Sequence, residues 1–136
     1  MNKTFAMLKP DAIQERLAGD IIKLIELNGF EILRIHKTTL SISQAESFYD
    51  VHQGKVFFEE LIQYIISGPV MLLALGKTNA VTDWRTLMGA TNPANADIGT
   101  IRRMYAQSIG RNVVHGSDSA ENAKKELLFF FKDLVL

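Results

Sequence analysis

The 136 residues include no cysteine, so neither a disulfide framework nor a thiolate metal site is available. Neither sign of charge is in excess, because 15 Lys and Arg balance 15 Asp and Glu. A neutral chain has no overall field to draw in nucleic acid or an anionic membrane. An anionic ligand must therefore be met by a local group of cations and backbone donors. No apolar stretch approaches the length of a membrane span. The apolar run near the N-terminus stops at Lys9, too early for the core of a signal peptide. These features lead us to expect a cytoplasmic protein with no membrane partner and no required nucleic acid. Repeats, low-complexity tracts and linkers are also missing, so residues 1–136 read as a single domain. With 47% hydrophobic residues, a chain of this length can bury a core without covalent staples.

Two apolar runs, Thr4 to Leu8 and Val70 to Leu75, are nearly continuous, as expected of strands buried on both faces. Phe30 to Leu40 mixes apolar residues with Glu31, Arg34, His36 and Lys37, which suits a strand with one wet face. Val113 and Val114 suggest a brief fourth strand. Between the first two strands, Ile13, Leu17, Ile21, Leu24 and Ile25 share one helical face, with Asp11 and Gln14 as a capping pair and Asn28-Gly29 as the stop. Ser43 with Glu46 predicts a capping box for a helix running through Phe48 and Val51. Further helices are expected over 57–66 and Val81 to Met88. Asp118 with Glu121 is expected to cap a last helix with the stripe Ala120, Ala123, Leu127, Phe130 and Phe131. The order is β-α-β-α-β-α-β-α. It permits a doubly wound parallel sheet. Four strands, one of them half polar, favour instead an α+β ferredoxin-like fold: a four-stranded antiparallel sheet with helices packed on it and the first and third strands central.

From Gly89 to Arg111 the periodicity is lost, and a stretch that long in a compact domain is usually functional. Gly76-Lys77-Thr78 after a strand imitates the end of a phosphate-binding loop. The motif also requires a glycine where Met71 stands, so the reading fails. Two other segments carry chemistry. Lys9-Pro10-Asp11 lies where a buried strand gives way to a helix, a junction that exposes N–H groups to anions. In Gly110-Arg111-Asn112-Val113-Val114-His115-Gly116-Ser117-Asp118-Ser119, a histidine stands beside a glycine just ahead of a helix. Taken singly, Lys9 reads as a solvated lysine and His115 as a hydrogen-bonded turn residue. Phe57 reads as core, Glu126 as a wet helix position and Thr91-Asn92-Pro93 as a turn. His36 and His52 read as surface residues.

Together these segments resemble the nucleoside diphosphate kinase family. Asn112-Val113-Val114-His115-Gly116-Ser117-Asp118-Ser119 looks like its active-site signature. Lys9-Pro10-Asp11, Phe57-Phe58, Ser67-Gly68-Pro69-Val70, Met88-Gly89-Ala90-Thr91-Asn92-Pro93 and Gly99-Thr100-Ile101-Arg102 follow in the family's order. The resemblance implies that His115 is phosphorylated on Nδ1 and that Lys9, Arg85, Thr91, Arg102 and Asn112 hold phosphates and ribose. It implies that Tyr49 packs near the phosphates, that Phe57 stacks on the base, and that Ser117 and Glu126 orient the histidine. It further implies ping-pong transfer of the γ-phosphoryl group from a triphosphate such as ATP to a nucleoside diphosphate, maintaining NTP and dNTP pools. Mg2+ would be carried on the nucleotide phosphates, with no metal-binding side chains of the protein's own. A homo-oligomer, tetramer or hexamer, is also implied. The chain departs from the family at Ile98, Arg103-Met104, Lys55-Val56 and Trp84, none of them a matched catalytic position.

The chemistry suits these residue types. Phosphoryl transfer depends on positioning and charge stabilisation, and an arginine fork bonds phosphate at two points. Neutral imidazole is a nucleophile at physiological pH without help from a strong base. The competing expectation is a catalytically silent nucleotide- or nucleic-acid-binding module on the same fold. A module has no need of Lys9, Asn112, His115, Glu126 and two arginines together.

Overall fold

Four strands, β1 (Asn2–Leu8), β2 (Glu31–Thr38), β3 (Val70–Lys77) and β4 (Val114–Gly116), form one sheet in the order β2-β3-β1-β4 in the computed structural model, which describes residues 1–136. Every pairing is antiparallel. This is the ferredoxin-like order, and it rules out the parallel alternative. β1 and β3 are central, and Thr4 through Leu8 are all buried, as their continuous apolar character requires.

Seven helices follow in chain order: α1 (Pro10–Gln14), α2 (Ala18–Leu27), α3 (Ile42–Phe48), α4 (Phe58–Ile65), α5 (Ala80–Met88), α6 (Ile101–Tyr105) and α7 (Ala120–Phe130). They cover both faces of the sheet. Phe5 and Met7 point to one side and pack with Ala45, Ile62 and Leu127 of α3, α4 and α7. Ala6 and Leu8 point to the other and pack with Ile21, Ile25, Trp84 and Ile101 of α2, α5 and α6. No helix is long and apolar enough to cross a membrane.

The helix starts differ from expectation. Asp11 is not a cap: Lys9 occupies that position, Pro10 opens α1 with its pre-set φ, and Asp11 is turned into the interior. The single helix expected after β1 is two, interrupted where Arg16 adopts a left-handed φ of 60°. The capping box at α3 is Ser41 with Gln44 rather than Ser43 with Glu46, and α3 ends at Phe48, leaving Val51 exposed. At α7 the cap is Ser119, whose hydroxyl accepts from the N–H of Asn122, rather than Asp118, and Ala120 is exposed rather than part of the stripe. The aperiodic stretch contains α6, capped by Thr100, and a short turn of helix over Pro93–Asn95.

Candidate active site

β1 and β4 run side by side with Met7 opposite His115, so the two ends of the sequence meet where β1 stops. Beyond that point the Lys9 N–H donates to the carbonyl of Val113 at 2.8 Å. Between these segments, α4 and residues 108–112, lies a cleft of about 860 Å3.

His115 faces the cleft from β4, against the rings of Phe5, Phe48 and Tyr49. Its Nε2 is 3.1 Å from Oε1 of Glu126, which also accepts from the Ser117 hydroxyl at 2.6 Å. A carboxylate at Nε2 draws the ring proton there and leaves the lone pair on Nδ1. Burial holds the His115 pKa below its ordinary value, and Lys9 and Arg102 add to that effect, although Glu126 opposes it. The ring is therefore neutral and nucleophilic at physiological pH. Tyr49 lies beside it with a buried hydroxyl that has no partner, kept protonated by burial and by the charge of Glu126. That hydroxyl is an unpaired donor buried beneath the cleft floor.

Lys9 is buried and bonds Oδ1 of Asn112 at 2.8 Å, while Asn112 Nδ2 reaches the Thr91 carbonyl at 3.4 Å. Burial lowers the Lys9 pKa to about 8, with Arg102 contributing, so its ammonium is only partly compensated. A buried cation in that position favours an anionic ligand.

The arginines are placed differently. Arg102 lies behind the cleft, where its guanidinium donates to the carbonyls of Val114 at 2.8 Å, Gly89 at 3.1 Å and Asn112 at 3.4 Å. Burial, then Arg85, lowers its pKa to about 10, so the charge persists at neutral pH. Arg85 is exposed on α5 and does not line the cleft, though its charge is felt at Arg102 and at Asp118. Phe57 sits at the mouth, 47% exposed, as a free ring face rather than core.

Several wall residues carried no sequence signal. Leu61, Tyr64, Ile109 and Arg111 line the cleft. His52, read above as a surface residue, also lines it, with its ring 5.5 Å from that of Phe57 and its Nδ1 3.3 Å from Lys55 Nζ. Neither the periodicity of α4 nor the aperiodic stretch holding Ile109 distinguishes these positions from their neighbours.

The backbone of the histidine is held as firmly as its ring. Trp84 Nε1 donates to the His115 carbonyl at 3.2 Å, and Gly116 lets the indole approach, because a Cβ there would lie 2.5 Å from the Trp84 ring. Trp84 is fully buried and has nowhere to move. Gly116→Ala is therefore expected to destabilise the protein by about 1–3 kcal/mol through overpacking. Urea unfolding with an unchanged midpoint would contradict this.

Comparison with known proteins adds a family. The family model described as nucleoside diphosphate kinase matches residues 2–135. The nucleoside diphosphate kinase of Pelobacter propionicus is 52% identical over 136 residues, covering all of this chain and 99% of that protein. That of Lawsonia intracellularis is 53% identical over 131 residues, covering 96% of this chain and 95% of the relative. Among solved structures, the apo nucleoside diphosphate kinase of Encephalitozoon cuniculi superposes with a TM-score of 0.94 at 38% identity, covering 98% of this chain and 90% of that one. The Aquifex aeolicus enzyme superposes with a TM-score of 0.93 at 32% identity, covering 96% and 94%.

Proposed function

The chain belongs to the nucleoside diphosphate kinase family, and on that premise we propose that His115 carries the phosphoryl group between its substrates. The reaction is transfer of the γ-phosphoryl group from a nucleoside triphosphate to a nucleoside diphosphate; the silent binding module is not favoured. The observation that supports the role of His115 is its geometry: Nε2 is engaged by Glu126, and Nδ1 is free in a cleft that also holds Lys9 and Asn112.

In this mechanism the Nδ1 lone pair attacks the γ-phosphorus in line. The bond from phosphorus to the β–γ bridging oxygen breaks, and the nucleoside diphosphate leaves with that electron pair. Glu126 stabilises the positive charge that develops on the ring, and Ser117 steadies Glu126. A second diphosphate then attacks the phosphohistidine with a terminal oxygen, which breaks the N–P bond and restores neutral His115. Lys9 and the Tyr49 hydroxyl face the anion that spreads over the transferring group, with Arg102 adding its charge from behind the cleft; Thr91 and Asn112 position phosphates and ribose, and Arg85, outside the cleft wall on α5, contributes through its charge. Among the polar groups that line the cleft, Lys9, Thr91, Arg111 and Asn112 suit phosphate oxygens, and its single carboxylate, Glu60, does not make up a ligand set for a bare dication. Mg2+ would accordingly be carried on the nucleotide phosphates, where it would supply charge neutralisation. We place the enzyme in the cytoplasm as a single domain over residues 1–136. We propose a homo-oligomer, tetramer or hexamer, supported by exposed Ile35 on edge strand β2 and by Ile98 and Met104; sedimentation of a monomer would refute it.

The test of the mechanism is incubation with γ-labelled ATP. Label is expected on the protein as an acid-labile, alkali-stable adduct and should be discharged by any nucleoside diphosphate. Absence of label from an active enzyme would refute the carrier. At the base, Phe57→Ala is expected to weaken every nucleotide by roughly the same amount, about 1–3 kcal/mol, because a ring face stacks on purines and pyrimidines alike. A panel of diphosphate acceptors measures this, and loss confined to one base would show that an edge contact, not stacking, is at work.

A further inference from the structure

Asp11 takes no part in the chemistry above, yet it is a carboxylate only 5% exposed. A buried carboxylate is strongly unfavourable unless each oxygen is satisfied. Here Oδ2 accepts from the Val113 N–H at 3.1 Å, and Oδ1 accepts from the Tyr64 hydroxyl. Burial, and then the bond to Asp11, push the Tyr64 hydroxyl well above its ordinary pKa, so the proton stays on the phenol. The other face of Tyr64 borders the cleft, with the Arg111 guanidinium 5.5 Å from its ring centre.

Val113 explains what this arrangement is for. Its φ is 62°, left-handed, in a fully buried β-branched residue. Such a conformation is unfavourable by about 1–3 kcal/mol and persists only where surrounding contacts over-determine it. The turn is tight: the Val114 N–H bonds the Asn112 carbonyl at 2.7 Å. It decides where two side chains go, since Asn112 on one side meets Lys9 and His115 on the other faces the cleft. The Lys9 N–H grips the Val113 carbonyl, and Asp11 grips its N–H. Without Asp11 that buried N–H has no partner, and the turn loses the bond that opposes its relaxation.

We infer that Asp11, braced by Tyr64, is a positioning residue for phosphoryl transfer: it holds the strained Val113 peptide so that Asn112 and His115 face the nucleotide together. The inference rests on His115 as carrier only for its readout. Asp11→Leu keeps the branched outline of the side chain, with bulkier methyl groups in place of the oxygens, and removes the acceptor. It is expected to lower the single-turnover rate of phosphoenzyme formation from ATP roughly a hundredfold, the effect of misplacing reacting groups by about 1 Å. Asp11→Asn keeps an acceptor for the Val113 N–H and is expected to recover most of that loss. Tyr64→Phe removes only the brace; it should fall between wild type and Asp11→Leu, lower the melting temperature because Oδ1 of Asp11 loses its partner, and speed exchange of the Val113 amide proton more than that of the strand amides. Asp11→Leu reacting at the wild-type rate would overturn the inference, as would equal losses in Asp11→Leu and Asp11→Asn. Where Asp11→Leu does not fold, Tyr64→Phe decides: wild-type rate and wild-type Val113 exchange overturn the inference, and the combined loss supports it. A wild-type enzyme that forms no phosphoenzyme would refute the carrier and leave the amide-exchange result to judge Asp11 alone.

Discussion

His115→Ala is expected to abolish turnover, by on the order of a millionfold, the scale on which deletion of a covalent nucleophile acts. The loss should fall on kcat. Lys9, Asn112 and Phe57 lie in the cleft wall and do not depend on the imidazole for their contacts, so nucleotide binding should survive. His115→Gly leaves a ring-sized space beside Glu126 and Tyr49. Added imidazole is therefore expected to restore part of the activity, with transfer to the free ring in place of the protein. Activity within a hundredfold of wild type in His115→Ala, without imidazole, would remove His115 from the reaction path.

Lys9→Ala comes next in size. Removing one aligned charge donor lowers a rate by on the order of a hundredfold, and Lys9 also orients Asn112 through their direct bond. Its low pKa adds a signature in pH. Lys9 is charged below about 8 and loses its proton above that value, so kcat/KM, which reports the free enzyme, should decline as pH rises through about 8. Bound phosphates favour the ammonium, which moves the same limb of kcat to higher pH. On the acid side, His115 titrates below its ordinary value, so the reactive neutral ring persists as pH falls through 6.5 and is lost only lower. The expected profile is a plateau from below 6.5 to about 8. A kcat/KM that stays flat to pH 10 would show that the Lys9 charge is not required, as would near-normal turnover in Lys9→Ala.

The sheet was legible because burial on both faces writes itself as an unbroken apolar run, as in Thr4 to Leu8. Helix starts were legible only to within a few residues. Serines and acids cluster at 41–46 and 117–121, and the backbone selects among them by where the preceding strand or turn delivers the chain. Asp11 shows the deeper limit. Locally it has the spacing of a cap, but Val113, 102 residues away, and Tyr64 draw it inward. No local pattern contains that information. The left-handed φ of Val113 was hidden for the same reason, since a β-branched residue is the least expected there. Motif matching named residues that the structure gathers at one cleft, among them Lys9, Tyr49, Phe57, Thr91, Asn112 and His115. It was silent about Leu61, His52 and Ile109, whose part is shape rather than chemistry.

Strand order has a consequence for a chain still being made. β1 precedes the other three strands in the chain, and its outer edge is closed by β4, the last of them. Until β4 docks, β1 offers an unpaired apolar edge to any neighbouring polypeptide. In that same interval neither His115 nor Glu126 is in place, so a half-built molecule cannot draw a phosphoryl group from ATP and lose it to water. A chain that lacks β4 and α7 is therefore sticky and inert at once, and the docking of those two elements removes both properties.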